Sequence, residues 1–357
     1  MVRTLAFGTT PDGTPVRAYE LACAGVTARV SDFGATLLGL TAPDRAGRVA
    51  DVVLGFGSLD GYLDNPACFG STIGPVANRT DAGEVPLGGN TYQLPQNDGP
   101  EQRNNLHTSL TAGLHKRVWA ACMDNEANAV TFSTTLNDGE LGLPGARTFT
   151  ATYALAPAQE GGAALTVRYR CETDVPTYVN MTNHTYWNLA GHASGSARGQ
   201  LIQVNASRYL PLREDSVSAG EVREVAGTPF DFRVPKPLGQ DIDADDPQLA
   251  IAHGYDHCLC VDGYEPNGRP RPALHAEDPA SGRTLDVAIT TPGAHLYAGN
   301  WLGDDHAKDG ASYRGQSGFA FEPEFWPDAI HHPAWEQPTC EPGHPYEQTI
   351  VYRISAS

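Results

Sequence analysis

Ten consecutive residues, Asn183 to His192 (NHTYWNLAGH), hold two His, two Asn, a Thr, a Tyr and a Trp. Proton donors and acceptors stand there beside flat aromatic faces, a set suited to holding a polyhydroxylated molecule and moving its protons. Histidine titrates near neutrality, so His184 or His192 could act as acid or base. Four other polar clusters could join them. Asn78-Arg79, in STIGPVANRT, offers a fork of donors that fits vicinal hydroxyls. His107 lies in NNLHTSL, upstream of a strand-like KRVW at Lys116 to Trp119. His253, Asp256 and His257 fall in AHGYDHCLC. Glu322 and Glu324 fall in SGFAFEPEFWPDAI, next to Phe325 and Trp326. This last cluster matters because acid–base work needs a carboxylate as well as a histidine. Glu322 follows the apolar Phe319 to Phe321, and a carboxylate at the end of a buried strand is desolvated, which makes it a better base near neutrality. Pro323 is expected to end regular strand pairing at a rim.

The elements that must position these groups are strands. Leu165, Val167, Tyr169 and Cys171 alternate with polar residues, as do Ile202, Val204 and Ala206. Val26, Ala28 and Val30 repeat the pattern near the start, Leu285, Val287 and Ile289 later, and Ile350, Tyr352 and Ile354 at the end. Turn-forming clusters separate them: TPDGTP at 10–15, EGG at 160–162 and DGYEPNGRP at 262–270. The 38 Gly and 27 Pro are spread along the whole chain, as many short strands require. Short helices are predicted only around Ser58 to Leu63 and Asp246 to Ala252. The fold class is therefore all-β, a large antiparallel β-sandwich with few short helices. No linker or repeat divides it, so residues 1–357 read as a single domain.

Composition bounds the partners. A net charge of −18, from 24 Lys plus Arg against 42 Asp plus Glu, repels phosphate backbones and anionic surfaces, so neither nucleic acid nor membrane is expected. Seven Cys without a CxxC pair, no signal-like N-terminus and no transmembrane run give the expectation of a cytoplasmic protein with reduced thiols. Cys258 and Cys260 would lie on one strand face as small buried groups.

In this order the segments ANRT, NNLH, KRVW, NHTYWNLAGH, GYDH, TPGAHLYAGN and FEPEFWPDAI resemble the aldose 1-epimerase family, from about Phe33 to the C-terminus. The resemblance implies a β-supersandwich and interconversion of the α and β anomers of free aldohexoses or aldopentoses, such as galactose and glucose, with no metal or organic cofactor. It places the catalytic pair on Glu322, rather than Glu324, and His184, with His107 supporting. Arg79 and Asp256 would contact the sugar, and Asn78 is read with them. His192 is left structural or peripheral. Trp187 or Trp326 could stack on the C–H face of the sugar, although an aromatic in a β-protein more often belongs to the core. The chain departs from the family pattern at Pro75, Val76 and Thr80. It departs again at Thr108-Ser109, where glycines are usual, and at Thr291, where Gln is usual; Pro75, Thr108, Ser109 and Thr291 are where substrate choice would be read.

Three other readings compete. A carbohydrate-binding β-sandwich without catalysis would use the same aromatics and acids. A hexose-6-phosphate 1-epimerase of the same fold would need several basic groups, and Lys116-Arg117 is the only adjacent basic pair before Cys258. A metal-dependent enzyme would draw on His253, Asp256, His257 or His331-His332. In a strand, however, His253 and His257 share a face that Asp256 does not, and no HExxH spacing occurs. Assembly is read as monomer or homodimer.

Overall fold

The computed structural model describes residues 1–357. Every ladder between its strands is antiparallel, and there are only two α-helices, Leu59–Asp64 and Pro247–Ala252. Both helices fall within a residue of their predicted bounds. Asp246 caps the second, its carboxylate accepting from the N–H groups of Gln248 and Leu249.

A nine-stranded sheet runs Ala120–Asp124, Ala129–Leu136, Arg147–Pro157, Ala163–Thr173, Tyr346–Ala356, Arg283–Ile289, Arg271–Glu277, Leu201–Val204, Lys236–Pro237. The C-terminal strand is central, between Ala163–Thr173 and Arg283–Ile289. The EGG turn joins two eleven-residue strands, Arg147–Pro157 and Ala163–Thr173. A six-stranded sheet runs Tyr186–Trp187, Phe319–Glu324, Gly293–Tyr297, Asp256–Val261, Ala206–Tyr209, Arg223–Glu224. The two sheets meet through their apolar faces: Trp187 of one lies 5.1 Å, ring to ring, from Tyr352 of the other. A third, five-stranded sheet holds Arg3 to Asp51. One cluster of 60 buried side chains runs from Val2 to Ile354 and joins all three.

Two local expectations are corrected. KRVW is not a strand: Leu114–Lys116 forms a single 3₁₀ turn, and the strand begins at Ala120. The cause is Lys116, whose ammonium turns back to donate to the carbonyls of Tyr62, Leu63 and Asp64. Those are orphan acceptors at the end of helix Leu59–Asp64, and a cation there also suits the helix dipole. Pro323 does not end its strand, which continues to Glu324 with Pro323 opposite Ala294. On the other side of that strand Tyr186–Trp187 pairs only with Ala320 and Phe319, so no further ladder donors are needed there.

Candidate active site

Strand alternation builds the site. In Phe319–Glu324, residues Phe319, Phe321 and Pro323 face one way and Ala320, Glu322 and Glu324 the other. The register sets His295 opposite Glu322, Tyr297 opposite Asp256 and Tyr186 opposite Ala320. One face of the six-stranded sheet is therefore polar and aromatic, while Trp187, Leu259, Leu296, Phe319 and Phe321 on the reverse face enter the main core. The short strand pair Arg79–Thr80 and Asn105–Leu106, with Asn78 and His107 flanking it, lines the polar side, and His184 arrives from the short strand Thr182–His184. Together they enclose a cavity of about 560 Å³ lined by Asn78, Arg79, His107, His184, Asp256 and Glu322 among others. All six predicted site residues thus share one cavity.

The catalytic candidates stand bare. Nε2 of His184 lies 3.6 Å from Oε1 of Glu322, too long for a hydrogen bond, with both side chains more than nine-tenths buried. The imidazole of His107 packs edge-on against that of His184, centroids 5.4 Å apart. Burial, reinforced by the charges of Glu324 and Asp256, pushes Glu322 well above the usual carboxylate range. Burial also pulls His184 down to about 4 and His107 well below its usual value. Both imidazoles are thus neutral at physiological pH. His107 Nδ1 accepts the backbone N–H of Asn78 at 3.0 Å, so the proton of the neutral ring sits on Nε2. The ligating atoms of His107, His184 and Glu322 lie within 4.8 Å of one another, but a ring held in this tautomer offers a donor N–H and no second lone pair for a metal.

The binding candidates, by contrast, are tied down. Nε of Arg79 donates to Asp98 at 2.8 Å, and its Nη1 lies 3.8 Å from Asp256. Burial pushes Asp256 up, but His295 and Arg79 outweigh it and hold the carboxylate at about 2. The amide of Asn78 is engaged on both sides. Its Nδ2 reaches both His295 Nδ1 and Glu324 Oε1 at 3.0 Å, and its Oδ1 accepts the N–H of Arg79 at 2.7 Å. Asn78 therefore organises its neighbours: both N–H groups of its amide are used, and only one lone pair of Oδ1 remains free.

Sequence reasoning missed His295 and Tyr297. Inside AHLYA they look like ordinary strand residues; the usable signal was that both polar side chains occupy alternate positions of one strand. Trp301 was also missed. It is 69% exposed at the mouth, stands edge-on to His253, and its backbone N–H donates to the Tyr297 hydroxyl. The two predicted stacking residues are elsewhere: Trp187 is fully buried against Tyr352, and Trp326 packs on Trp335. Trp187 neighbours Tyr186 in a strand, so if one faces the cavity the other must face the core. His253 is not in the strand but terminates helix Pro247–Ala252 in a left-handed conformation, so it shares no strand face with His257. His192 lies outside the cavity, bonded to Tyr313 and Asp309.

The departures at Pro75, Thr108, Ser109 and Thr291 do not line the cavity either. Thr108 takes the positive φ (60°) itself, and its hydroxyl both donates to and accepts from the backbone of Val76. Thr291 bonds the carbonyl of Gly293. These residues shape loops behind the site.

The comparisons agree with this geometry. The model of the family described as aldose 1-epimerase matches residues 17–353. The chain is 37% identical over 358 residues to a galactose mutarotase of Homo sapiens, covering 100% of this chain and 99% of that protein. It is 35% identical to an aldose 1-epimerase of Escherichia coli (strain K12), covering 97% of each. A crystal structure of an aldose epimerase homologue from C. elegans superposes with a TM-score of 0.84 at 30% identity, over 94% of this chain and 98% of that one. With a family model over nearly its whole length and relatives aligned end to end, this chain belongs to the aldose 1-epimerase family.

Proposed function

We propose that the protein is an aldose 1-epimerase that interconverts the α and β anomers of free aldoses such as galactose and glucose, through the Glu322–His184 pair. The observation that carries this reading is that the pair is buried in the cavity, 3.6 Å apart, and neither side chain hydrogen-bonds to the protein. Mutarotation removes a proton from the anomeric hydroxyl while the ring oxygen gains one. The ring opens to the aldehyde, C1 turns, and the ring recloses on the other face. Glu322 takes the anomeric proton and His184 gives one to the ring oxygen, with the Nε2–H of His107 on the ring-oxygen side. The pair must hold one proton between its members. In the empty cavity burial favours that proton on Glu322, so the first proton of a turnover can also pass in the opposite order, from Glu322 to the ring oxygen and from the sugar to His184. Reclosure reverses whichever order opened the ring. Arg79 and Asp256 hold the remaining hydroxyls, so the open aldehyde stays in register. The chemistry needs no cofactor, and the chain is read as one unit, monomer or homodimer.

Two alternatives lose support. A hexose 6-phosphate would meet only one Arg or Lys in the cavity wall, Arg79, and that is already committed to Asp98 and Asp256; Asp256 and Asp304 add acidic groups to the wall. Lys116 and Arg117 point elsewhere, the latter to Glu140. A pure sugar binder has no use for a desolvated carboxyl left without a partner. The test is polarimetry of a freshly dissolved pure anomer. Wild type should speed equilibration of galactose and glucose far more than that of glucose 6-phosphate, and His184→Asn should fall close to the buffer rate. Sugar binding without acceleration would instead establish the binding-module reading.

A further inference from the structure

Beneath the bare pair lies a continuous buried chain of hydrogen bonds. Glu324 Oε1 accepts from Asn78 Nδ2, which also donates to His295 Nδ1, and His295 Nε2 donates to Asp256 Oδ1 at 2.8 Å. The assignments are mutually consistent. An amide has two N–H groups, which serve the two acceptors Glu324 and His295. A ring accepting at Nδ1 carries its hydrogen at Nε2, where Asp256 receives it. All four residues are at least four-fifths buried, and Glu324 is fully so. The same Asn78 lends its backbone N–H to His107, so one residue ties together the sugar-binding carboxylate and the tautomer of the supporting imidazole. Asn78 does this from a left-handed backbone (φ 60°), a conformation Asn adopts more readily than most residues.

We propose that His295 and Glu324 are positioning residues: with Asn78 they form a brace that fixes Asp256 against the sugar, and so act on substrate affinity rather than on proton transfer. Neither belongs to the catalytic pair. Glu324 has the same side-chain type and strand face as Glu322, but Glu322 makes no bond to the protein while Glu324 accepts one from Asn78. His295 is the only hydrogen-bonded partner of the Asp256 carboxylate, since the Arg79 Nη1 stands at 3.8 Å. Without His295 the carboxylate could swing toward Arg79 and away from the hydroxyl it must meet. The brace rests on the aldose 1-epimerase reading for its role in turnover, but its effect on binding does not.

The experiment measures kcat and KM for galactose by polarimetry, and Kd by fluorescence titration of Trp301 at the mouth, in His295→Leu and His295→Gln. Losing a hydrogen bond to a charged group should raise KM and Kd by about 10- to 100-fold in His295→Leu. The kcat should stay within about threefold and the pH profile should not move, because the proton-transfer groups remain in place. His295→Gln retains an N–H for Asp256 and an acceptor for Asn78, and should recover most of the affinity. Unchanged KM and Kd in His295→Leu would overturn the brace, as would a fall in kcat with KM intact. Should His295→Leu fail to fold, the pair Glu324→Gln and Glu324→Leu decides. Gln keeps the acceptor for Asn78 and should restore affinity that Leu loses; equal KM in both refutes the proposal. If wild type binds galactose without accelerating its mutarotation, the enzyme reading fails while the Kd series still tests the brace.

Discussion

Replacing Glu322 with Gln should destroy activity and raise stability at once. The side chain is 4% exposed and accepts no hydrogen bond from the protein; its nearest partner is Nε2 of His184, at 3.6 Å. Gln matches its shape, so the cavity wall should survive. What disappears is one positioned proton-transfer group, worth about 10²–10⁴ in rate, or about 2.7–5.5 kcal/mol of barrier. Stability moves the other way, for a reason of sign. Burial and the charges of Glu324 and Asp256 hold the folded carboxyl above its unfolded value of 4.5. Such a group contributes stability that is fully present below the unfolded value and lost as pH rises through the folded one. Gln has no proton to lose and escapes that loss. Calorimetric scans from about pH 4 to about pH 8 should therefore show the variant melting above wild type at the alkaline end, the gap closing at the acid end. Polarimetry of pure α-galactose, with the buffer rate subtracted, reads the activity. A variant that keeps more than about a tenth of the wild-type rate, or that melts below wild type at pH 8, refutes the reasoning. The second result would mean that the carboxylate is buttressed by contacts of its own.

Trp187→Ala should cost about 3–5 kcal/mol of unfolding free energy, read from the urea midpoint, because it leaves a hole against Tyr352 between the two sheets; galactose affinity of the folded protein should not change. Thr108→Ala loses both bonds to Val76 and should cost about 1–3 kcal/mol. The relative mutarotation rates on galactose, glucose, xylose and arabinose should stay within roughly twofold of wild type, and a changed order of preference would show that this loop reaches the sugar after all.

The strands were legible because period-two alternation is a local property. Leu165 to Cys171 and Ile350 to Ile354 show it plainly, and their pairing register follows it. The two short helices were legible as segments around Ser58 and Asp246, but only Asp246 caps its helix with a side-chain hydrogen bond. Residue type alone marked His184, His192, Glu322 and Glu324 as titratable groups among apolar and aromatic neighbours; the resemblance to the family was what separated His184 and Glu322 from the other two. His295 was not legible, because its meaning comes from register: nothing within AHLYA says that this strand lies beside Phe319–Glu324 with His295 opposite Glu322. The Trp187 expectation failed for a related reason. Aromatic residues near a polar motif invite a sugar-stacking reading, yet in a strand only one of two neighbours can face the site, and Tyr186 does. The role of Asn78 was hidden in backbone geometry, since its contact with His107 joins two loops through residues at positive φ.

One face of the six-stranded sheet is an energetic anomaly, and the proposed chemistry lies on that face. Apolar side chains in place of Glu324, Asp256, His295 and Asn78 would pack at lower cost, since buried ionic networks seldom repay their desolvation. The chain instead keeps all four and bonds each to another: Asn78 to Glu324 and His295, His295 to Asp256. Amid that pairing, the side chains of Glu322 and His184 are left without a hydrogen bond, and Nδ1 of His184 is buried without a partner. A stability requirement would pair these two groups first, because an unpaired buried polar group is the most expensive kind. A requirement to exchange protons with a visiting oxygen would leave them bare and make their surroundings rigid. The arrangement observed is the second.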